Sequence, residues 1–138
     1  MLEMIRGLKV GDVMHHPVIC TLPGNPADEV ADQMAEKRIS GMPVVDASQN
    51  VIGIISERDR LMAIRQERIL STLAVSEIMR HNPITIDIHS SLPAAIKAIT
   101  DQDIMRLPVL ENGKLVGILT RHDILKKIIK QVPGFLEI

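Results

Sequence analysis

An internal repeat constrains the fold of this 138-residue chain more than any other feature of its sequence. The phrase GIISERD, from Gly53 to Asp59, returns as GILTRHD, from Gly117 to Asp123. The flanking residues repeat in the same order: VGDVMHHPVIC returns as VSEIMRHNPITI, and GMPVVD returns as RLPVLE. A repeat of this kind predicts one supersecondary unit built twice, so we expect two similar units in one chain.

Each copy predicts the element order β-α-β-β-α, and hence a mixed α/β (α+β) fold. A short turn at residues 11–14 or 76–79 precedes a brief strand at residues 18–21 or 84–86. Apolar residues at helical spacing then predict an amphipathic helix, and two aliphatic strands follow as a hairpin. The apolar helix residues are Ala27, Val30, Ala31, Met34 and Ala35 in the first copy and Leu92, Ala95, Ile96 and Ile99 in the second.

A last helix is predicted to begin at Ser56 in the first copy and at Thr120 in the second. Pro133 and Gly134 are predicted to end the second of these helices. Its predicted buried stripe consists of Ile124, Leu125, Ile128 and Ile129.

The repeat also predicts the domain boundaries. They are an N-terminal segment at 1–8, a first unit with a structured bridge at 9–70, a second unit at 71–132 and a C-terminal tail at 133–138. Units of about 60 residues bury their sheets poorly on their own. We therefore expect the two units to pack against each other.

Composition limits the classes of partner. Sixteen basic and seventeen acidic residues give a formal charge of −1, and the chain has no Trp, no Tyr and one Phe. Nucleic-acid binding would need a basic surface or stacking aromatics, so we expect no nucleic-acid partner. No apolar run near the N-terminus is long enough for a signal peptide or a membrane span. We therefore expect a cytoplasmic protein with no membrane partner.

Cysteine and histidine offer little chemistry. The single Cys20 cannot form an internal disulfide and lies in the apolar run PVICT, which favours a core role. His15, His16 and His81 match no usual metal-ligand spacing, so no metal site is predicted. No nucleophile and base pair or P-loop argues for catalysis, and we expect a protein that is not an enzyme.

Two interpretations of the repeated phrase remain open. Ser or Thr followed three residues later by an acid is the pattern of a helix capping box. A hydroxyl and a carboxylate at a helix N-terminus also suit a sugar and its phosphate. The two interpretations are compatible, because amides exposed at a helix end can serve a cap or an anion.

The ordered set of motifs, occurring twice, resembles paired cystathionine beta-synthase (CBS) domains, also called a Bateman module. The resemblance rests on the Met14 and Met79 turns, on Pro17 and Pro83, on the strands GMPVVD and RLPVLE and on the two repeated phrases, and it extends from about residue 9 to residue 129. It implies two units related by a pseudo-twofold axis, with clefts that hold adenosine-containing ligands, and a homodimer. It also implies a regulatory role, here expected in a stand-alone module whose regulated partner is a separate protein.

The resemblance assigns roles to individual residues. Ribose binding is implied for Asp59, Asp123, Ser56 and Thr120. An adenine pocket is implied for Val18, Ile19, Met42, Pro43, Ile84, Thr85, Leu107 and Pro108. The candidates for phosphate are Arg106, whose role the resemblance implies, and Arg58, Arg121 and His122, which stand close to the motifs.

If only one site binds tightly, we expect it to be that of the second copy, with Arg106, Thr120 and Asp123. Thr85 agrees with the polar residue common in the family, whereas Ile19 departs from it, and Arg106 has the uncharged counterpart Gly41. The expected ligand is AMP, ADP, ATP, NAD or S-adenosylmethionine, with no cofactor required. The alternative is a constitutive dimerisation or scaffold protein whose clefts bind nothing.

Overall fold

The computed structural model describes residues 2–131, which form five helices, six strands and three 3-10 turns. The helices are α1 (Leu2–Ile5), α2 (Ala27–Lys37), α3 (Glu57–Arg65), α4 (Leu92–Asp101) and α5 (Arg121–Gln131). The strands are β1 (Gly41–Val45), β2 (Val51–Ser56), β3 (Arg80–His81), β4 (Ile86–Asp87), β5 (Arg106–Glu111) and β6 (Lys114–Thr120). The predicted mixed architecture is confirmed. The predicted helix end at Pro133 and Gly134 and the tail at 133–138 lie outside the described residues.

The strands form two three-stranded sheets, with the orders β1-β2-β3 and β4-β5-β6. The predicted hairpins are present in both, as the antiparallel pairs β1 with β2 and β5 with β6. Gly41 pairs with Ser56 in the first hairpin, and Arg106 pairs with Thr120 in the second. The hairpins therefore hold the residue two positions before each PV dipeptide opposite the hydroxyl residue of each repeated phrase.

The brief strands that open each repeat are shorter than the prediction. In the second copy the strand is β4, which pairs in parallel with β5 from Ile86. In the first copy the predicted strand at 18–21 is reduced to a single parallel bridge between Thr21 and Val44. The shortening follows from Pro43 on β1. The Thr21 amide donates to the Pro43 carbonyl oxygen and the Val45 amide donates to that of Thr21, but the preceding bond of this ladder would need the backbone N–H that Pro43 lacks.

Contacts divide the chain into two compact units that differ from the sequence repeats. One unit is Ile19–Pro83, and the other combines the residues up to Val18 with those from Ile84 onward. The turn at Val10–Asp12 therefore belongs with the second repeated phrase, and the turn at Val75–Glu77 belongs with the first. Each turn precedes one repeat along the chain and packs in the unit that contains the other phrase.

Each unit has its own aliphatic core. In the Ile19–Pro83 unit the buried cluster is Val30, Met34, Met42, Val44, Ile55, Val75 and Met79. In the other unit Ile5 and Val10, from the start of the chain, join a cluster with Leu92, Ala95, Ile99, Ile104, Leu107, Val109, Leu119, Ile124 and Ile128. Residues from both ends of the described chain thus share one core.

The predicted buried stripe on α5 was partly wrong. Ile124 and Ile128 are buried, but Leu125 and Ile129 have 51% and 45% of their surface exposed. Successive residues of an α-helix are rotated by about 100°. Leu125 and Ile129 therefore each lie about 100° around the helix from the buried residue that precedes them, and their side chains remain in solvent.

The glycine that begins each repeated phrase lies under a methionine of the turn packed against it. A Cβ atom built on Gly53 would collide with the Met79 sulfur and lie 2.9 Å from the carbonyl oxygen of Arg80. A Cβ atom on Gly117 would collide with the Met14 sulfur and lie 2.8 Å from the carbonyl oxygen of His15. The repeated glycine and the repeated methionine are therefore two sides of one contact.

Candidate functional site

Both repeated phrases end as capping boxes at helix N-termini. The Asp59 amide donates to Ser56 Oγ at 3.3 Å, while Asp59 Oδ2 accepts from the Ser56 amide at 2.8 Å and from the Ser56 hydroxyl at 2.9 Å. At the start of α5, Asp123 Oδ2 accepts from the Thr120 amide at 3.0 Å and from the Thr120 hydroxyl at 2.8 Å. One oxygen of each carboxylate is thus used by the cap, and the other oxygen distinguishes the two sites.

The second oxygen of Asp123 is occupied by a histidine. His15 Nε2 lies 2.5 Å from Asp123 Oδ1, and the two side chains have 69% and 6% of their surface exposed, respectively. The contact holds His15 against a carboxylate that is buried.

The second oxygen of Asp59 has no such partner. Among residues 2–131 no hydrogen bond or ion pair reaches Asp59 Oδ1, and the residue is only half-buried. The two carboxylates, which are equivalent in the repeat, therefore differ in their availability to a ligand.

The first-turn amides of α3 and α5 are mostly engaged. The Glu57 and Arg121 amides donate to the carbonyl oxygens of Ser40 and Met105, at 2.9 and 3.3 Å. The amides of Asp59 and Asp123 donate to the capping hydroxyls. Within the described part of the chain, the amides without a hydrogen bond in these first turns are those of Arg58 and His122. The N-terminus of each of these two helices thus has one backbone amide available to an anion, fewer than the unpaired first-turn amides of an uncapped helix.

The residues predicted for the adenine pocket fall into two groups. Met42, Pro43, Leu107 and Pro108 are buried, and Met42 and Leu107 belong to the two aliphatic cores. Their side chains serve packing, so an adenine contact at these positions would come from the backbone. Val18, Ile84 and Thr85 are half-buried and Ile19 is exposed, which leaves their side chains open to a ligand.

The residues proposed to bind phosphate lie on different elements and differ in exposure. Arg106 lies on β5 beside Thr120 and is half-buried, whereas Arg58 and His122 are exposed on the first turns of α3 and α5. Arg121 donates from Nε to the Ile104 carbonyl oxygen at 2.8 Å, and its Nη2 pairs with Asp103 at 2.9 Å. Because these contacts tie Arg121 to the segment before β5, its role in the structure is to join that segment to α5.

The contact between His15 and Asp123 is not predicted from the sequence. The pattern raised His15 only as a possible metal ligand, which its spacing excluded, and not as a partner of the carboxylate. One signal was present, because a basic or titratable residue follows the methionine of each opening turn: His15 follows Met14, and Arg80 follows Met79. The pairing could not be read from it, since the two residues belong to different repeats.

Other chemistry is sparse in the part of the chain that the structure describes. No three His, Cys, Asp or Glu residues between 2 and 131 are grouped so that they could hold a metal ion. Burial raises the pKa of the Cys20 thiol, which disfavours the reactive thiolate. None of the described helices has the length and apolar character required to cross a membrane.

Comparison with known proteins identifies a matching family model and similar proteins. A family model described as the CBS domain matches residues 10–66 and again residues 75–130. An uncharacterized protein of Methanopyrus kandleri is 35% identical over 124 residues, which cover 88% of this chain and 63% of that protein. The inosine-5'-monophosphate dehydrogenase of Mycobacterium tuberculosis is 35% identical over 126 residues, covering 90% of this chain and 22% of the enzyme. The chain thus spans less than two thirds of either relative.

Among solved structures, a similar one is the CBS domain pair of protein MJ0100 in complex with 5-methylthioadenosine and S-adenosyl-L-methionine. The TM-score is 0.79 at 25% sequence identity, and the similarity covers 88% of this chain and 95% of that one.

Proposed function

This chain belongs to the CBS domain family, and from that premise we propose that it is a non-enzymatic regulatory module for an adenosine-containing ligand. The ligand is AMP, ADP, ATP, NAD or S-adenosylmethionine, which share the adenosine group. Binding would change the contacts of the module with a separate protein partner. The observation that carries the proposal is the Asp59 carboxylate, whose Oδ2 is fixed by the cap while its Oδ1 makes no hydrogen bond within residues 2–131.

A fixed carboxylate with one available oxygen suits a ribose. Its oxygens accept hydrogen bonds only, and the 2′ and 3′ hydroxyls of ribose are neighbouring donors. The cap removes the need to order Asp59 on binding, which lowers the entropic cost of association. Asp123 is fixed by an equivalent cap at Oδ2, but its Oδ1 contacts His15, so a ribose would have to displace that contact.

The remaining contacts follow from what is open to a ligand. Adenine is proposed to lie against Ile19 in one site and against Ile84 and Thr85 in the other, because these side chains are at least partly exposed. Arg106 is proposed as a phosphate contact, since the strand pairing holds it beside Thr120. The complex of protein MJ0100 supports an adenosine-bearing ligand as a class without selecting one.

Thermal unfolding with a ligand panel tests the proposal. Wild type, Asp59→Asn and Asp123→Asn are each melted alone and with AMP, ADP, ATP, NAD or S-adenosylmethionine at millimolar concentration. A ligand at one hundred times its Kd adds about 2.7 kcal/mol of stability, worth several degrees in Tm for a domain of this size. We expect an upward shift in the wild type, reduced in Asp59→Asn.

The matched control is Glu77→Ala. Glu77 accepts a hydrogen bond from the Ala74 amide at 2.7 Å, in a cap that involves no residue of either repeated phrase. Its loss should lower the baseline Tm and leave the ligand-induced shift intact. If no compound of the panel shifts the wild type, the proposal is abandoned in favour of a scaffold that binds no ligand.

We also propose that the module forms a homodimer. Four apolar side chains on two helices are exposed: Leu61 and Ile64 on α3, and Leu125 and Ile129 on α5. Within each unit the exposed pair lies one turn apart on its helix, which makes an apolar strip of the kind that protein interfaces cover.

A further inference from the structure

We propose that His15 is a gating residue for the ribose carboxylate of Asp123, so that a ligand binds there only after displacing the imidazole. The inference rests on the proposed function, because the gate matters only if Asp123 receives a ligand. It concerns a residue for which neither the repeat nor the resemblance suggested a role.

The geometry places the imidazole where a ribose hydroxyl would bind. Asp123 Oδ2 is held by Thr120, so Oδ1 is the oxygen left for a ligand, and His15 Nε2 lies 2.5 Å from that oxygen. A carboxylate oxygen cannot keep this short contact and also accept a sugar hydroxyl from the same direction. His15 Nε2 donates in the protonated ring and in the Nε2–H tautomer of the neutral ring, so the competition does not require a charged His15.

The backbone of His15 is anchored while its side chain is free to move. The His15 amide donates to the Ile118 carbonyl oxygen at 2.8 Å, and the Ile118 amide donates to the His15 carbonyl oxygen at 3.1 Å. Met14, directly before it, packs over Gly117. The imidazole itself is mostly exposed, so rotating it into water breaks the contact with Asp123 and uncovers no core. This combination suits a gate.

The equivalent position in the other unit lacks this gate. Arg80 follows Met79 and pairs with Ile54, as His15 follows Met14 and pairs with Ile118. Within residues 2–131, however, Arg80 makes no ion pair with Asp59, which remains half-buried while Asp123 is buried. The Asp59 site should therefore fill first. This order reverses the preference for the second copy that the comparison of the repeats suggested.

Calorimetric titration with AMP, and separately with S-adenosylmethionine, tests the gate. The background variant Asp59→Asn leaves Asp123 as the ribose carboxylate under study. Adding His15→Ala should tighten binding about fivefold, which corresponds to about 1 kcal/mol, the net contribution of a typical hydrogen bond. Adding Arg80→Ala instead serves as the matched control and should leave the affinity unchanged.

Unchanged or weaker binding after His15→Ala would overturn the gate while leaving the proposed function intact. If none of the five compounds of the panel binds wild type or His15→Ala, the proposed function fails and the gate fails with it. Nuclear magnetic resonance of the imidazole nitrogens gives a readout without ligand. Asp123→Ala should shift the His15 Nε2 signal markedly and leave that of His89 in place, and an unmoved His15 signal overturns the contact itself.

Discussion

At the scale of single residues, the glycine of each repeated phrase depends on a contact made by a distant methionine. Gly53 and Gly117 lie within β strands, where glycine ordinarily weakens pairing. Met79 and Met14 pack on them so closely that no Cβ fits without movement of sulfur and backbone. The residue type follows from that packing, and no special backbone torsion is required.

Alanine at Gly53 or Gly117 should therefore destabilise the protein. Overpacking of this kind costs about 1–3 kcal/mol, measured as the change in free energy of unfolding in urea. Gly24→Ala is the control, because a Cβ there meets no atom within 4 Å, and its stability should change by a few tenths of a kcal/mol at most. Equal effects at Gly24 and Gly53 would contradict the packing argument.

At the scale of elements, the two hairpin turns have different chemistry. The loop between β5 and β6 is Asn112 and Gly113, with φ of 51° and 79°, the Asn-Gly pair that a type I′ turn prefers. The loop between β1 and β2 places a non-glycine residue, Gln49, at φ 67°. Asp46 Oδ1 accepts the Ser48 and Asn50 amides there and holds the turn.

Opposite substitutions in the two turns should have opposite effects. Gly113→Ala should lower the free energy of unfolding by about 1 kcal/mol, because alanine disfavours the left-handed region and no contact compensates. Gln49→Gly should raise it by about 0.5 kcal/mol, since glycine adopts that region without a Cβ clash. Chemical denaturation measures both, and a loss of stability in Gln49→Gly would contradict this explanation.

The exposed strip on α5 gives a second prediction at this scale. Replacing Leu125 and Ile129 together by lysine should convert the proposed homodimer to a monomer, because it puts two charges into an apolar contact. The fold should be kept, since both side chains are exposed. Light scattering after size exclusion measures the mass, with Lys126→Ala on the same helix as control. A wild type that is already monomeric would contradict the proposal.

At the scale of the whole molecule, each compact unit contains the opening turn of the other sequence repeat. Val10 and Val75 occupy equivalent positions in the repeat, and both are fully buried. Val10 lies in the core that contains Leu92 and Leu107, whereas Val75 lies in the core that contains Met34 and Met42. The boundaries expected from the repeat, near residues 70 and 71, would place each valine in the other core.

Amide hydrogen exchange of two valine variants tests this assignment of the turns to the two cores. Val10→Ala should speed amide exchange most in α4, β5 and β6, and Val75→Ala should do so most in α2, β1 and β2. Each substitution costs about 2 kcal/mol through lost burial and a small cavity, and local openings report where the cost falls. Loosening of α2 and β1 by Val10→Ala would support the boundaries of the sequence repeat instead.

The sequence by itself determined the repeat, both hairpins and the helices that follow them, together with the hydroxyl-to-acid spacing of both capping boxes. These features depend on contacts between residues close along the chain, as between Ser56 and Asp59, and such contacts leave a pattern at fixed spacing. The local sequence pattern was less informative about how long a strand is paired and how much of a helix is buried. It overestimated the strand at 18–21 and the buried width of α5, because pairing partners and coverage are set by other parts of the fold.

Only the tertiary structure decided which turn packs on which phrase. A periodic pattern is the same whether each methionine covers the glycine of its own copy or that of the other, so the choice rests on long-range packing. That choice brings His15 to Asp123 and leaves Asp59 without such a contact. Two carboxylates that are equivalent in the sequence thereby become different, because a hydrogen bond between distant residues depends on their positions in space and leaves no signature in local spacing.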